Sequence, residues 1–197
     1  MKIHHYCAGL VVTAGLLGVA TPSQAYLTTG QTATTYSSTT ALYTITYRFG
    51  FLNREAYLPI ATTRDLQFGT TSDDLGYTLL TRSGSSTSVG KLTALVLSNA
   101  TIKNGRYYLP AGKSGTFTLV AALTLPNGMA ASDYALRVSS LPFVMIDDKK
   151  TYRAQLNPSE LQYYTTPRAK ISIKTTTIKS PVTVTGVTYS LSSKNGQ

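Results

Sequence analysis

The feature that most constrains the fold is a strict two-residue alternation that begins at Tyr43. Large apolar side chains occupy every second position through Phe51, and the residues between them are Thr, Arg or Gly. Successive side chains of a β-strand point to opposite faces, so this run predicts a strand with one buried face, and no helical period competes with it. The same alternation recurs in four later runs, at residues 117–125, 134–138, 171–173 and 182–184. The pattern predicts an all-β chain.

Turn-forming residues separate the apolar runs. Asn104 and Gly105 lie between two apolar segments, and this pair can adopt the positive φ angles of a type I′ hairpin. Residues 126–128 and 147–150 have the Pro, Asn, Gly and Asp content of further turns. Residues 157–160 predict one helical turn, with Asn before Pro and Glu three positions after the cap. Short strands joined in this way favour an antiparallel β-sandwich of immunoglobulin-like or Greek-key type.

One hairpin resembles a known family. Pro110-Ala111-Gly112 leads into alternating Thr and apolar residues that end at Leu119, and residues 134–138 follow with a second alternating run. This segment resembles the Pro-Ala-Gly hairpin of bacterial immunoglobulin-like surface modules. The resemblance covers residues 108–138 and implies a fold; it carries over no catalytic or binding residue.

The first 25 residues have the three parts of a cleavable signal peptide. Lys2 precedes an apolar stretch over residues 8–20 that is too short to span a bilayer comfortably, and Ser23-Gln24-Ala25 matches the small-residue pattern before a cleavage site. We expect cleavage after Ala25, with an uncleaved anchor as the alternative. No later apolar run approaches the roughly 20 residues of a spanning helix, so the mature chain is expected without a transmembrane segment. The predicted location is periplasmic, outer-surface or extracellular.

Cleavage would remove every His and Cys, because His4, His5 and Cys7 are the only ones in the chain. A mature chain without them has no disulfide, thiol nucleophile or imidazole base. We therefore predict a protein that is not an enzyme and needs no cofactor.

The acidic residues leave two alternatives open. Glu55 together with Asp65, Asp73 or Asp74 could supply the two carboxyl groups that a glycosidase requires. The adjacent pairs Asp73-Asp74 and Asp147-Asp148 could bind Ca²⁺, although neither pair has the Asp-x-Asp-x-Asp-Gly spacing. We interpret these acids as turn residues.

The mature chain is predicted to have two parts. Residues 26–40 are rich in Thr and Ser and carry no charge, and we expect an extended, flexible N-terminal arm. The alternative is a donor strand that inserts into a neighbouring subunit, which would allow self-association. Residues 41–197 are expected to form a single domain.

The C-terminal part is the basic end of a chain with net charge +10. No acid follows Glu160, and the alternation around Ile171 places Lys170 and Lys174 on the same face of a strand. This face is a candidate site for polyanions, and the alternative is a Lys-bearing edge strand that discourages unwanted pairing. The candidate basic residues are Arg168, Lys170, Lys174 and Lys179.

Two Tyr doublets, at residues 107–108 and 163–164, are candidate sugar contacts, because a Tyr ring can lie against a sugar. Adjacent strand residues face opposite ways, so one member of each doublet is expected in the core and the other on the surface. Tyr107 and Tyr163 are taken as the candidates for ligand contact, with core packing as the alternative.

These observations predict an exported, non-enzymatic β-sandwich with a structural, assembly or adhesion role at the bacterial cell envelope or outside the cell. The alternative is a module that binds a glycan or an anionic polymer through exposed Tyr and the basic C-terminal face. The expected partners are an envelope polymer, another protein or a second copy of the chain. Export argues against cytoplasmic nucleic acid.

Overall fold

A computed structural model describes residues 27–126, 132–147 and 149–171. The expectations for the signal peptide, for cleavage after Ala25 and for Lys174 and Lys179 lie outside these residues. The described part of the chain is mostly β, which confirms the predicted class, with one helical turn, α1 (Pro158–Leu161). The strands are β1 (Leu27–Thr35), β2 (Thr40–Gly50), β3 (Glu55–Leu58), β4 (Thr62–Arg64), β5 (Leu75–Leu80), β6 (Ser86–Thr87), β7 (Lys91–Ser98), β8 (Thr101–Lys103), β9 (Arg106–Leu109), β10 (Ser114–Thr124), β11 (Ser132–Ser140), β12 (Pro142–Asp147), β13 (Lys150–Gln155) and β14 (Ala169–Ile171).

The strands form three sheets. The first has the order β1-β2-β10-β7, the second β14-β11-β5-β4 with β6 also on β5, and the third β13-β12-β3-β9-β8. Every pairing between the described strands is antiparallel except that of β4 with β5. The second and third sheets are directly connected at one point, where only Leu141 separates β11 from β12.

The alternation of the sequence determines which side chains are buried. The alternate residues of β2 from Tyr43 to Phe49 are all at most 1% exposed, and the alternate residues of β10 from Phe117 to Leu123 are fully buried. The register places Tyr47 beside Phe117 and Ile45 beside Leu119, so the two apolar rows lie on the same face of the first sheet. This face is the centre of the core.

Aromatic contacts join the first and third sheets around this core, and buried residues of the second sheet, such as Leu79 and Leu136, belong to the same cluster. Ring centroids of Phe49 in β2 and Phe143 in β12 are 5.1 Å apart, and those of Phe117 in β10 and Tyr107 in β9 are 5.6 Å apart. The ring centroid of Tyr164, after α1, lies 5.5 Å from that of Tyr47 in an edge-to-face arrangement. Such tilted and edge-to-face pairs add to the stabilisation that burial provides. The three sheets therefore share one core.

Local signals in the sequence locate the predicted turns. Asn104 and Gly105 have φ angles of 53° and 70°, and they close the β8–β9 hairpin as expected. The predicted helical turn is also present, and the Glu160 carboxylate accepts a hydrogen bond from the Asn157 backbone N–H at 2.8 Å. Both expectations are confirmed.

The N-terminal segment differs from the flexible arm that its composition suggested. Residues 27–35 form strand β1, which pairs with β2 from Leu27 opposite Arg48 to Thr35 opposite Ala41. Thr favours extended backbone, and Ala33 packs against the core, so the ladder with β2 is sufficient to order a segment with few large apolar groups. The strand belongs to the chain's own first sheet.

Candidate functional site

The two predicted basic residues that the structure describes, Arg168 and Lys170, lie on one side of the chain at β14. Arg168 and Lys170 are exposed, and Ala169 between them is buried. The Arg168 guanidinium donates a hydrogen bond to the Thr81 carbonyl, which ties the start of β14 to the loop after β5. The Lys170 carbonyl accepts a hydrogen bond from the Thr35 hydroxyl at 3.0 Å. This part of the basic face therefore borders β1.

Tyr163 also lies beside β1. Its side chain is 67% exposed, and its carbonyl accepts a hydrogen bond from the side-chain amide of Gln31 in β1. Tyr164, the other member of the doublet, is buried against Tyr47. The structure thus brings Tyr163 and Lys170 to the β1 side of the molecule.

Tyr107 was expected on the surface and is instead a core residue, only 7% exposed. Its hydroxyl donates a hydrogen bond to the Val96 carbonyl at 2.9 Å. Tyr108 is the outward member, and its hydroxyl donates to the Glu55 carboxylate at 2.9 Å. This hydrogen bond, more than burial, raises the pKa of Tyr108. One Tyr of each doublet is buried and the other is outward, as predicted. Strand alternation accounts for Tyr107-Tyr108 in β9, whereas Tyr163-Tyr164 lie in the turn after α1. The choice within the first doublet needs correction, because cross-strand packing decides which face is inner.

Arginines pair with two of the Asp residues considered as Ca²⁺ ligands. Asp73 forms ion pairs with Arg106 and, at 2.9 Å, with Arg153, and Asp147 pairs with Arg54 at 2.7 Å. Within the described residues no group of three His, Cys, Asp or Glu side chains lies close enough to hold a metal ion. These carboxylates act as links between strands and loops.

Three other acids have similar roles. Asp65 accepts a hydrogen bond from the Thr78 hydroxyl at 2.7 Å, and Asp74 accepts one from the Thr63 hydroxyl at 2.6 Å. Glu55 accepts from Tyr108, as described above. Each carboxylate faces a donor from another segment of the fold.

A groove that the sequence patterns did not indicate lies between residues 68–73 and the β12–β13 hairpin. Its volume is about 450 Å³. Phe68, which is 45% exposed, and Pro142 supply apolar lining, and Arg153 and Gln155 supply polar groups. The Gln155 side chain holds the loop by accepting from the Gly69 N–H at 3.1 Å and donating to the Thr70 carbonyl at 2.7 Å. The one local feature of the sequence that could have indicated this groove is Phe68, an aromatic residue in a turn-rich segment.

No protein-family model matches this chain, and no significant match was found among curated proteins. Among the described residues, no helix has the length and apolar character needed to cross a membrane.

Proposed function

We propose that this chain is an exported bacterial β-sandwich of immunoglobulin-like type that has a structural, assembly or adhesion role at the cell envelope or outside the cell, and that it is not an enzyme. The observation that carries the proposal is that most of the acidic side chains form contacts that hold the fold together. After loss of residues 1–25 the chain would contain no imidazole or thiol, so acid–base chemistry would depend on carboxylates.

Six of the eight acidic residues have structural partners. Four of them bind Arg, Tyr or Thr side chains that other strands contribute. Asp147 binds Arg54 in the loop before β3, and Glu160 caps α1. A general acid or nucleophile of a glycosidase needs its carboxyl group directed at substrate. Carboxylates occupied in cross-strand contacts favour a structural role.

The arrangement of the sheets supports a sandwich. The first sheet would form one layer, and the second and third sheets, joined through Leu141, would form the other. Side-chain bonds link the layers at both margins: Thr35 to the Lys170 carbonyl at one, and Thr62 to the Ala94 carbonyl, at 2.9 Å, at the other. The turn at residues 110–112 enters β10 as in the immunoglobulin-like modules that this segment resembles.

The first test determines in which cell fraction the protein is found and whether residues 1–25 have been removed from it. Cells that express the full chain should yield, in the extracytoplasmic fraction, a product whose intact mass begins at Tyr26. A full-length product that still carries Met1 and stays in the cytosol would contradict export. An Ala25→Arg variant, which blocks the expected cleavage site, should accumulate the uncleaved precursor.

The second test addresses catalysis. Purified protein should not turn over envelope glycans. Turnover that is lost in Glu55→Gln or Asp65→Asn, but retained in the control Asp147→Asn, would replace the proposal with a hydrolase. Glu55 and Asp65 are the two variants because the sequence offered them as a glycosidase pair and both accept hydrogen bonds from hydroxyl groups. Asp65 also pairs with Arg64 at 3.4 Å, and the control Asp147 pairs with Arg54 at 2.7 Å.

A second candidate function is binding of a glycan or an anionic polymer. It is favoured by the groove beside Phe68 and by exposed Tyr163 near Lys170. Aromatic stacking on a neutral sugar depends little on ionic strength, whereas ion pairs weaken as salt rises.

A pull-down with isolated envelope polymers separates these two binding modes. Retention at low salt that is lost near physiological salt, and reduced in Lys170→Gln, would indicate the basic face. Salt-independent retention that is lost in Phe68→Ala would indicate the groove. Lys91→Gln, on β7 at the far edge of the first sheet from β1, is the matched control for charge. Absence of retention at low salt rules out both.

A further inference from the structure

The edges of the sheets are protected by different means. A strand at a sheet edge presents unpaired N–H and C=O groups that can pair with another chain, and proteins protect such edges with short strands, charges or covering groups. Among the described strands, β4, β6, β8 and β14 have two or three residues each, and β13 carries exposed Lys150 and Arg153. The two long edges to compare are therefore those of the first sheet, β1, which has no charged residue, and β7, which has Lys91 at its start.

The β7 edge is capped from within the fold. Three alternate carbonyls of β7, which point to the same side because the strand repeats every two residues, accept hydrogen bonds from hydroxyl groups. The donors are Tyr77 to Leu92 at 3.5 Å, Thr62 to Ala94 at 2.9 Å and Tyr107 to Val96 at 2.9 Å. These hydroxyls occupy the positions that a neighbouring strand would need.

The β1 edge has none of these protections. The strand is nine residues long and contains no charged residue and no Pro. One edge pairs with β2, and within the described part of the chain no strand pairs with the other. Its hydrogen bonds with the described C-terminal residues come from the side chains of Gln31 and Thr35, and no described strand other than β2 pairs with its backbone.

We propose that the free edge of β1 pairs with β1 of a second copy of this chain, which joins two four-stranded sheets into one of eight strands. This inference rests on the proposed assembly role and names its partner. A chain of net charge +10 repels its own copies, so an uncharged edge is where two backbones can approach. Thr32 and Thr34 are exposed on one face of β1, and opposed Thr pairs stabilise adjacent strands.

The position of Lys170 favours an antiparallel pair. Lys170 lies at the Thr35 end of the strand, whereas Arg48, at the Leu27 end, belongs to β2 and is one strand away from the pairing edge. In an antiparallel pair the two Lys170 side chains would be at opposite ends of the strand, about 27 Å apart along it. That separation exceeds the roughly 8 Å screening length at physiological ionic strength. A parallel pair would bring the two lysines together.

The antiparallel pair has a twofold axis and closes on itself. Since the β7 edge at the opposite side of the sheet is capped, the pairing stops at two copies. The expected product is a dimer that forms with increasing concentration, not a fibre.

Crosslinking at single cysteines tests the pairing in the full chain, expressed with its own leader in a Cys7→Ser background. Thr32→Cys lies one residue from the middle of β1, so a short bis-maleimide linker should join two copies at least fivefold more efficiently than at the control position. The control is Thr93→Cys, which is equally exposed on β7. Equal crosslinking at the two positions would overturn the proposal.

Sedimentation velocity supplies a test without cysteines. Thr34→Lys places a charge on the free edge and should shift the monomer–dimer midpoint at least tenfold to higher concentration, whereas the matched Thr93→Lys should leave it unchanged. Both variants should retain the parent's circular dichroism and melting temperature, which excludes misfolding as the cause. A monomer at every concentration overturns the pairing.

Two further outcomes show whether the pairing of β1 or the proposed function is wrong. An exported, processed protein that stays monomeric overturns this inference and leaves the proposed function intact, whereas a cytosolic product overturns the proposed function first. Crosslinking through Thr32→Cys that appears only after deletion of residues 172–197 would show that the chain's own C-terminal segment occupies the edge, which also overturns the inference.

Discussion

The two faces of the β2–β10 strand pair differ in how far their side chains are buried and in the contacts that these side chains make. On the inner face, Tyr47 and Phe117 stack with ring centroids 5.5 Å apart and are at most 1% exposed. On the outer face, Thr46 and Thr118 share a hydrogen bond of 3.1 Å between partly exposed hydroxyls. The stability of the strand pair is therefore concentrated on one face, and the other face is left for solvent or a partner.

The largest expected effect is on the inner face. Phe49→Ala removes a fully buried ring that lies 5.3 Å from Phe51 and 5.1 Å from Phe143. Deletion of a buried aromatic ring leaves a cavity and typically costs about 3–5 kcal/mol. Urea titration should show this loss in the free energy of unfolding. Phe68→Ala, at an exposed ring, is the control. An equal loss of unfolding free energy in this variant would show that the buried face contributes no more to stability than the surface.

Alkaline pH should weaken the same face. Burial, with a smaller contribution from neighbouring tyrosines, raises the pKa of Tyr43 and Tyr47 above that of an unfolded chain. The stabilisation is therefore fully present below about pH 10 and is lost as pH rises above it, because the unfolded chain releases these protons first. Unfolding free energies measured from pH 8 to 11 should fall less steeply in a Tyr43→Phe, Tyr47→Phe double variant than in the parent; parallel curves would contradict the mechanism.

A smaller effect is expected where the core meets the β7 edge. Tyr107→Phe keeps the ring against Phe117 and removes the hydroxyl that caps the Val96 carbonyl. Loss of one such hydrogen bond typically costs about 1 kcal/mol. The melting temperature should fall by a few degrees, and light scattering on storage should rise because the β7 edge is opened. Tyr163→Phe, at an exposed hydroxyl, should change neither quantity.

The smallest effect is expected on the outer face. Thr118→Val replaces the hydroxyl that bonds to Thr46 with a methyl group of similar size. Surface substitutions usually change stability by less than about 0.5 kcal/mol, and Val has a high strand propensity. Urea titration should therefore place the variant within that margin of the parent. A loss comparable to that of Phe49→Ala would show that the Thr row contributes as much as the core.

The amino-acid sequence by itself determined the features that depend on near neighbours. Two-residue alternation marked the buried rows of β2 and β10, Asn104-Gly105 located a hairpin, and residues 157–160 indicated the helical turn. These signals are local, because side-chain direction, positive φ angles and helix capping depend on a few adjacent residues.

Only the tertiary structure decided the features that depend on which strands meet. It placed Tyr107 rather than Tyr108 in the core, made residues 27–35 a strand, paired Asp73 with two arginines and formed the groove beside Phe68. A period of two shows that neighbouring side chains face opposite ways but not which face another sheet will cover. That choice comes from contacts between residues far apart in the chain, which no local pattern contains.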